Sequence, residues 1–116
     1  GRAIRISSAP PTFTDVPNGM PELPANFALS QNYPNPFNPE TTIAYSLASR
    51  SDVKLEVFDV LGRSVLTLAD GVRDAGNYRL HWNGKSQAGI SVPSGIYFYR
   101  LVTPEFVQTK RMLLMR

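Results

Sequence analysis

The chain has 116 residues, with 12 basic and 9 acidic side chains, one histidine and no cysteine. That length suits one domain with a tail and allows a single core without metal or disulfide support, and the lack of cysteine excludes both a disulfide framework and a thiol nucleophile. No apolar run approaches the ~18 residues of a membrane-spanning helix. The net charge of +3 is −1 over residues 1–40 and +4 over the rest, where bases alternate with acids except at Lys110-Arg111; this pattern fits a solvated sheet face rather than a nucleic-acid surface.

Residues 1–8, GRAIRISS, alternate weakly and are expected to be the last strand of a preceding domain. Gly1 is not an initiator and no secretory signal pattern opens the sequence, so a C-terminal piece of a longer protein is expected. Pro10, Pro11, Pro17, Pro21 and Pro24, half of the ten prolines, then forbid helix and central strand and favour an extended linker. Residues 1–26 are therefore assigned to the end of a preceding domain and its linker, and residues 27–116 to a separate domain.

Phe27 to Tyr33 reads as a short first strand. Tyr33-Pro34-Asn35-Pro36-Phe37-Asn38-Pro39 alternates proline with asparagine and is rigid but unable to pair along its length. It is expected to form a corner with Tyr33 and Phe37 tucked against the domain; an exposed proline-rich ligand is the less fitting reading. From Thr41, Ile43, Tyr45 and Leu47 alternate with polar or small residues, as do Val53, Leu55 and Val57 after the turn at Ser49–Asp52. Gly62 is expected in the left-handed position of a tight turn after Asp59. Val65, Leu66 and Leu68 form a strand that Asp70-Gly71 should stop, and Asp74-Ala75-Gly76-Asn77 should turn the chain. Tyr78, Leu80 and Trp82 then face inward, and a longer loop runs from Gly84 to Gly95.

The last quarter reads as a hairpin. Gly95 to Thr103 is dense enough in aromatic and branched residues to suggest burial on both faces. Pro104-Glu105 turns the chain into Phe106–Met115, a strand apolar enough that an open edge would aggregate, so it must be paired. Six or seven strands with no helical period predict an all-β fold, an immunoglobulin-like antiparallel β-sandwich of about seven strands. Ile43, Leu55, Val57, Leu80, Trp82, Tyr97, Tyr99 and Leu101 are the expected core. The Cys…Trp…Cys signature is absent, which leaves Trp82 as a core plug.

Candidates for chemistry are few. His81 is the one side chain with an ordinary pKa near neutrality, but no nucleophile-positioning motif accompanies it, so a surface histidine is expected. Zinc lacks a ligand cluster. Asp70, Asp74, Asn77 and Asn83 supply oxygen donors near one end of the expected sandwich; calcium is conceivable there, although turn-forming asparagine and aspartate serve without metal. Phe58, Trp82, Tyr97 and Tyr99 are expected in the core rather than on a sugar-binding platform. No catalytic, cofactor or metal site is assigned.

The ordered blocks YPNPFNPETTI, VKLEVFDVLGRSV, DAGNYRLHWNGKSQAG, VPSGIYFYRL and TKRMLLMR closely resemble the C-terminal sorting domain of type IX (Por) secretion, itself similar to the immunoglobulin-like domain of flagellar hook-capping proteins. The resemblance covers about Phe27 to Arg116. It implies a non-catalytic export signal for a secreted protein in the same chain, with the type IX machinery and a sortase-like cysteine protease as partners. Cleavage would fall in the linker, with attachment of the cargo to surface lipopolysaccharide or its release. The cargo would end outside a Gram-negative cell after passing the periplasm, and the domain is expected to act as a monomer. The hallmarks map onto Asp59, Gly62 and Arg63, onto Pro93, Gly95 and Tyr97, and onto Lys110 and Arg116. Gly95, Tyr97, Lys110, Arg111 and Arg116 are the expected recognition residues; arginine stands at 111 and 116 where the family often has lysine. The competing expectation is an accessory carbohydrate-binding or structural module of an extracellular enzyme.

Overall fold

Alternation at period two decides each long strand. In β2 (Thr41–Leu47) every second residue from Thr41 is buried, and in β3 (Ser51–Phe58) Ser51, Val53, Leu55 and Val57 are buried between more exposed neighbours. Such strands bury one face only and therefore need a second layer to cover it. The computed structural model describes residues 23–116; the strand expected over residues 1–8 and most of the linker lie outside the described residues. The remaining elements are β1 (Ala28–Leu29), β4 (Ser64–Arg73), β5 (Gly76–Trp82), β6 (Gly95–Val102) and β7 (Val107–Leu114). They form a three-stranded sheet, β1-β2-β5, and a four-stranded sheet, β4-β3-β6-β7, antiparallel throughout. This is the seven-stranded immunoglobulin-like sandwich the periodicity predicts. No helix among the described residues is long and apolar enough to cross a membrane.

Trp82 fills the middle of the core. Its ring lies 5.6 Å from that of Phe37 and 5.6 Å, edge-on, from that of Tyr97, and its Nε1–H donates to the Lys85 carbonyl at 2.8 Å. Ile43, Leu55, Val57, Tyr99 and Leu101 are buried as expected, whereas Leu80 is half-buried because β5 is an edge strand. Each large side chain removed from water in this way contributes roughly 1.5–3 kcal/mol.

Four local expectations change. β6 is buried on one face only: Tyr97, Tyr99 and Leu101 point inward, while Ile96 and Val102 are 40% and 39% exposed. A two-layer sandwich has no third layer to cover its outer face. β4 runs through Asp70-Gly71 to Arg73, with Asp70 opposite Lys54 and Gly71 opposite Val53, so cross-strand pairing with β3 overrides the local turn preference. The next turn is correspondingly short, only Asp74-Ala75 separating β4 from β5. Tyr33 is 81% exposed, although Phe37, its partner in the expected corner, is 1% exposed.

The first strand is cut to two residues by a buried polar cluster. The Tyr99 hydroxyl donates to the Ser30 carbonyl at 2.7 Å and accepts the Asn32 N–H at 2.8 Å. Asn32 Nδ2 donates to Thr41 Oγ1 at 3.0 Å, and that hydroxyl donates to the Pro34 carbonyl at 2.9 Å. The Ser30 carbonyl and Asn32 N–H are satisfied by the Tyr99 side chain, and after one further bridge to β2, Tyr33↔Thr42, the chain leaves the three-stranded sheet and crosses to the other. Phe37 bridges Leu114 there in the parallel sense.

Candidate functional site

Two turns that lie more than thirty positions apart in the sequence face one groove of about 540 Å³ at one end of the sandwich. In the first, Asp59 Oδ1 accepts the N–H groups of Leu61 and Arg63 at 2.9 and 3.0 Å, and Oδ2 accepts Arg63 Nε–H at 2.8 Å. The Arg63 N–H, then the Arg63 guanidinium and the Leu61 N–H, hold the Asp59 carboxyl below the usual carboxylate range. Gly62 takes φ +80° there, a conformation side chains disfavour. Val60 and Leu61 are thereby pushed out at the tip, 64% and 72% exposed. In the second turn, Gly95 (φ +150°) swings the chain into β6. The Tyr97 hydroxyl then donates back to the Pro93 carbonyl at 2.6 Å, four residues upstream. Burial raises the Tyr97 pKa, with Asp59 adding to the rise and Arg116 opposing it.

Arg116 closes the same end. Its Nε–H donates to the Val92 carbonyl at 2.7 Å, its Nη2 to the Gly84 carbonyl at 2.6 Å, and its N–H to Ser94 Oγ at 2.9 Å. Gly84 has φ +75°, and a Cβ there would lie 2.8 Å from Arg116 Nη2 and 3.2 Å from the Pro39 carbonyl oxygen. The guanidinium is therefore spent on holding the 84–94 loop. Gly95, Tyr97 and Arg116 come together; Lys110 and Arg111 stand apart from them and from each other. Successive strand residues point to opposite faces, so Lys110, opposite Tyr99, lies half-buried on the inner side, and Arg111, opposite Phe98, lies exposed on the outer side.

β7 is an edge strand, and part of its free side is sealed by the proline-asparagine segment. Phe37 N–H donates to the Leu113 carbonyl at 3.0 Å and Met115 N–H to the Phe37 carbonyl at 2.9 Å. Leu113 N–H donates to Asn35 Oδ1 at 3.0 Å, and Gln31 Nε2 donates to the Arg111 carbonyl at 2.7 Å. Sequence reasoning missed the pairing roles of Gln31, Asn35 and Phe37 and the cluster at Asn32. The one available signal was Phe37, a large apolar residue alone among prolines and asparagines.

The other candidates separate. His81 Nε2 lies 2.9 Å from Glu40 Oε1 and Nδ1 3.4 Å from Thr42 Oγ1, but the His81 and Glu40 side chains are 59% exposed, so nothing shields a reaction from water. The oxygen donors expected near one end are spread out: Asp74 pairs with Arg50 at 2.6 Å, Asn77 accepts from Ser46, and Asn83 accepts from the Lys85 N–H. Asn77, the second residue of β5, and Asn83, just past its end, lie roughly 20 Å apart at strand rise. Among the described residues no group of three or more His, Cys, Asp or Glu could hold a metal. Trp82, Tyr97 and Tyr99 are core, and Phe58 is half-buried beneath the Arg100 guanidinium, 4.6 Å above its ring.

The family described as the FlgD Ig-like domain matches residues 35–103. The chain belongs to this family. The match runs from Asn35 of the sealing segment to Thr103 beyond β6 and stops short of β7. Among solved structures, latent dimeric PorU from Porphyromonas gingivalis is 22% identical over 78% of this chain and 10% of PorU, with a TM-score of 0.61. PorZ, an essential surface component of the type-IX secretion system of the same bacterium, is 22% identical over 78% of this chain and 11% of PorZ, with a TM-score of 0.52. FlgD from Pseudomonas aeruginosa is 23% identical over 66% of this chain and 64% of FlgD, with a TM-score of 0.50. The chain thus spans about a tenth of PorU and PorZ, and these likenesses establish the Ig-like fold. No curated protein matches it.

Proposed function

We propose that this Ig-like domain is a non-catalytic C-terminal export module. In this reading it carries an appended protein through type IX machinery, across the outer membrane of a Gram-negative bacterium. A cysteine-protease sortase then cuts in the linker, between Ser8 and Asn26, and the cargo is attached to the surface or released. The observation that carries this reading is the convergence of three separate blocks at one end of the sandwich. Asp59–Arg63 and Pro93–Tyr97 line one groove, and Arg116 clamps the loop beside it. These blocks hold most of the hallmarks of the sorting-domain resemblance. PorZ, a surface component of that secretion system, contains a region of the same fold, which is consistent with the assignment.

Within this reading Gly95, Tyr97 and Arg116 shape the recognised end, and Lys110 and Arg111 meet the machinery directly. Fusing residues 1–116 to the C-terminus of a periplasm-directed reporter should release the reporter from cells with type IX machinery and retain it in cells without. Charge reversal at Lys110 and Arg111 should lower export, and at the exposed Arg111 it should change stability by no more than about 0.5 kcal/mol. Limited proteolysis mapped by mass spectrometry should find its first cut between Ser8 and Asn26, where the density of proline in the sequence disfavours helix and central strand. Retention of the unaltered reporter in competent cells would refute the export reading. It would favour an accessory structural module of an extracellular enzyme, which the family match also fits.

A further inference from the structure

The hydrogen-bonded seal along β7 stops halfway: β1 packs near this strand and Phe27 stacks on Phe106, but among the described residues no hydrogen bond to the free side is made before the Arg111 carbonyl. Along the free side of this strand, the outward main-chain groups belong to alternate residues, since Leu113 uses both its N–H and its carbonyl there. The same alternation turns Thr109 and Val107 outward with both their main-chain groups, and Arg111 with its N–H. Among the described residues none of these five groups has a hydrogen-bond partner on that side. The register with β6 is unbroken from Gly95↔Leu114 to Val102↔Val107, so no bulge disrupts the stretch.

We propose that Val107 to Arg111 is a docking edge that takes an extended, acidic strand of a partner protein. The main chain sets the shape of the partner, because a row of unpaired N–H and carbonyl groups is matched by another strand. The side chains set its charge. Lys110 and Arg111 are adjacent but lie on opposite faces, and neither has an ion-pair partner among the described residues. The one acid of the β6–β7 hairpin is Glu105, in the turn. A strand with two adjacent acids would set one beside each cation, and opposite charges across a strand pair are favourable. A second copy of this chain fits less well. Antiparallel pairing of two such edges about Thr109 sets each Lys110 opposite Gln108, makes the two Lys110 diagonal neighbours at about 7–8 Å, and neutralises no cation. The inference deepens the export reading by giving the chemistry of the partner, and its test needs no secretion machinery, so either can fail without the other.

The probe is a short, extended peptide of Thr and Val with two adjacent glutamates, compared with a peptide carrying two lysines in their place. Amide exchange on the full chain should show the Val107, Thr109 and Arg111 N–H groups exchanging fast alone and slowed by roughly tenfold or more by the acidic peptide. The lysine peptide should leave them fast. Thr109→Pro removes one outward donor from an edge where proline is tolerated, so it should keep the fold and abolish the protection; Lys110→Glu with Arg111→Glu should transfer it to the lysine peptide. Equal protection by both peptides, or undiminished protection in Thr109→Pro, would overturn the proposal. So would protection already present without peptide: independent of concentration, it would assign the edge to residues of this chain, and rising with concentration, to a second copy.

Discussion

The two free edges of the four-stranded sheet are guarded in opposite ways. The β4 edge is guarded from within. Its pairing with β3 shifts register twice, leaving Leu68 and Val65 as extra residues, and such bulges twist an edge away from would-be partners. Gln87 adds a local patch, its N–H donating to the Val65 carbonyl and its side-chain oxygen accepting the Thr67 N–H, both at 3.0 Å. The β7 edge is straight and is guarded from outside, by a segment 78 positions away at the Leu113–Asn35 contact, and only over half its length. An edge protected by its own irregularity is closed to partners. An edge protected by a borrowed segment stays flat where the segment ends, and that is where an incoming strand can bind.

The largest test of this contrast is Phe37→Ala. Phe37 is buried against Trp82 and holds both main-chain bonds of the seal, so its loss should cost about 3–5 kcal/mol, read from the denaturation midpoint. Trp82→Ala is expected in the same range. A Phe37→Ala protein with an unshifted midpoint would mean that the seal is incidental to the fold.

Tyr99→Phe comes next, at about 1–3 kcal/mol, since the Asn32 N–H and Ser30 carbonyl lose their shared buried partner. Its pH signature is distinctive. Burial pushes the Tyr99 pKa up to about 12, against about 10 for a free tyrosine, so the folded state holds the proton more tightly. Stability that is intact below pH 10 must therefore fall as pH rises from about 10 to about 12. Tyr45 and Tyr97, also raised by burial, add to the fall. The Tm should drop through this window and drop less in Tyr99→Phe; equal slopes would show that the hydroxyl is not held as described.

Arg116→Met should cost about 1 kcal/mol, because its hydrogen bonds are charge-assisted but largely solvent-exposed. Faster amide exchange across Gly84–Ser94 is the specific readout. The smallest effect belongs to Gln87→Ala, within about 0.5 kcal/mol, since the two bulges remain. A loss as large as that of Phe37→Ala would erase the distinction between the edges.

What could be read in the sequence was what is local. The period-two alternation of Ile43, Tyr45 and Leu47 and of Val53, Leu55 and Val57 located two central strands, and Gly62 and Gly95 marked turns because few other residues tolerate their backbone. Asp70-Gly71 misled because turn preference is a local tendency, whereas the pairing of Asp70 with Lys54 is set by tertiary register. The site was less legible for the same reason. Lys110 and Arg111 look like one basic pair until the pleat sends them to opposite faces. Arg116 looks like a free terminal charge until the fold brings Gly84 and Val92 beneath it. Asn32 carried no pattern at all, because its value depends on a tyrosine 67 positions away.

The same long separation has a kinetic side. Joining Gln31–Phe37 to the end of β7 closes a loop of nearly the whole domain, and contacts of such separation form late in folding. The β3–β4 and β6–β7 hairpins need no such closure and can assemble first. The flat edge of β7 is then bare during the last stage of folding and is among the first surfaces uncovered when the domain opens. Interactions absent from the transition state govern the unfolding rate rather than the folding rate. Phe37→Ala is therefore expected to speed unfolding more than it slows folding, which stopped-flow unfolding and refolding rates would check.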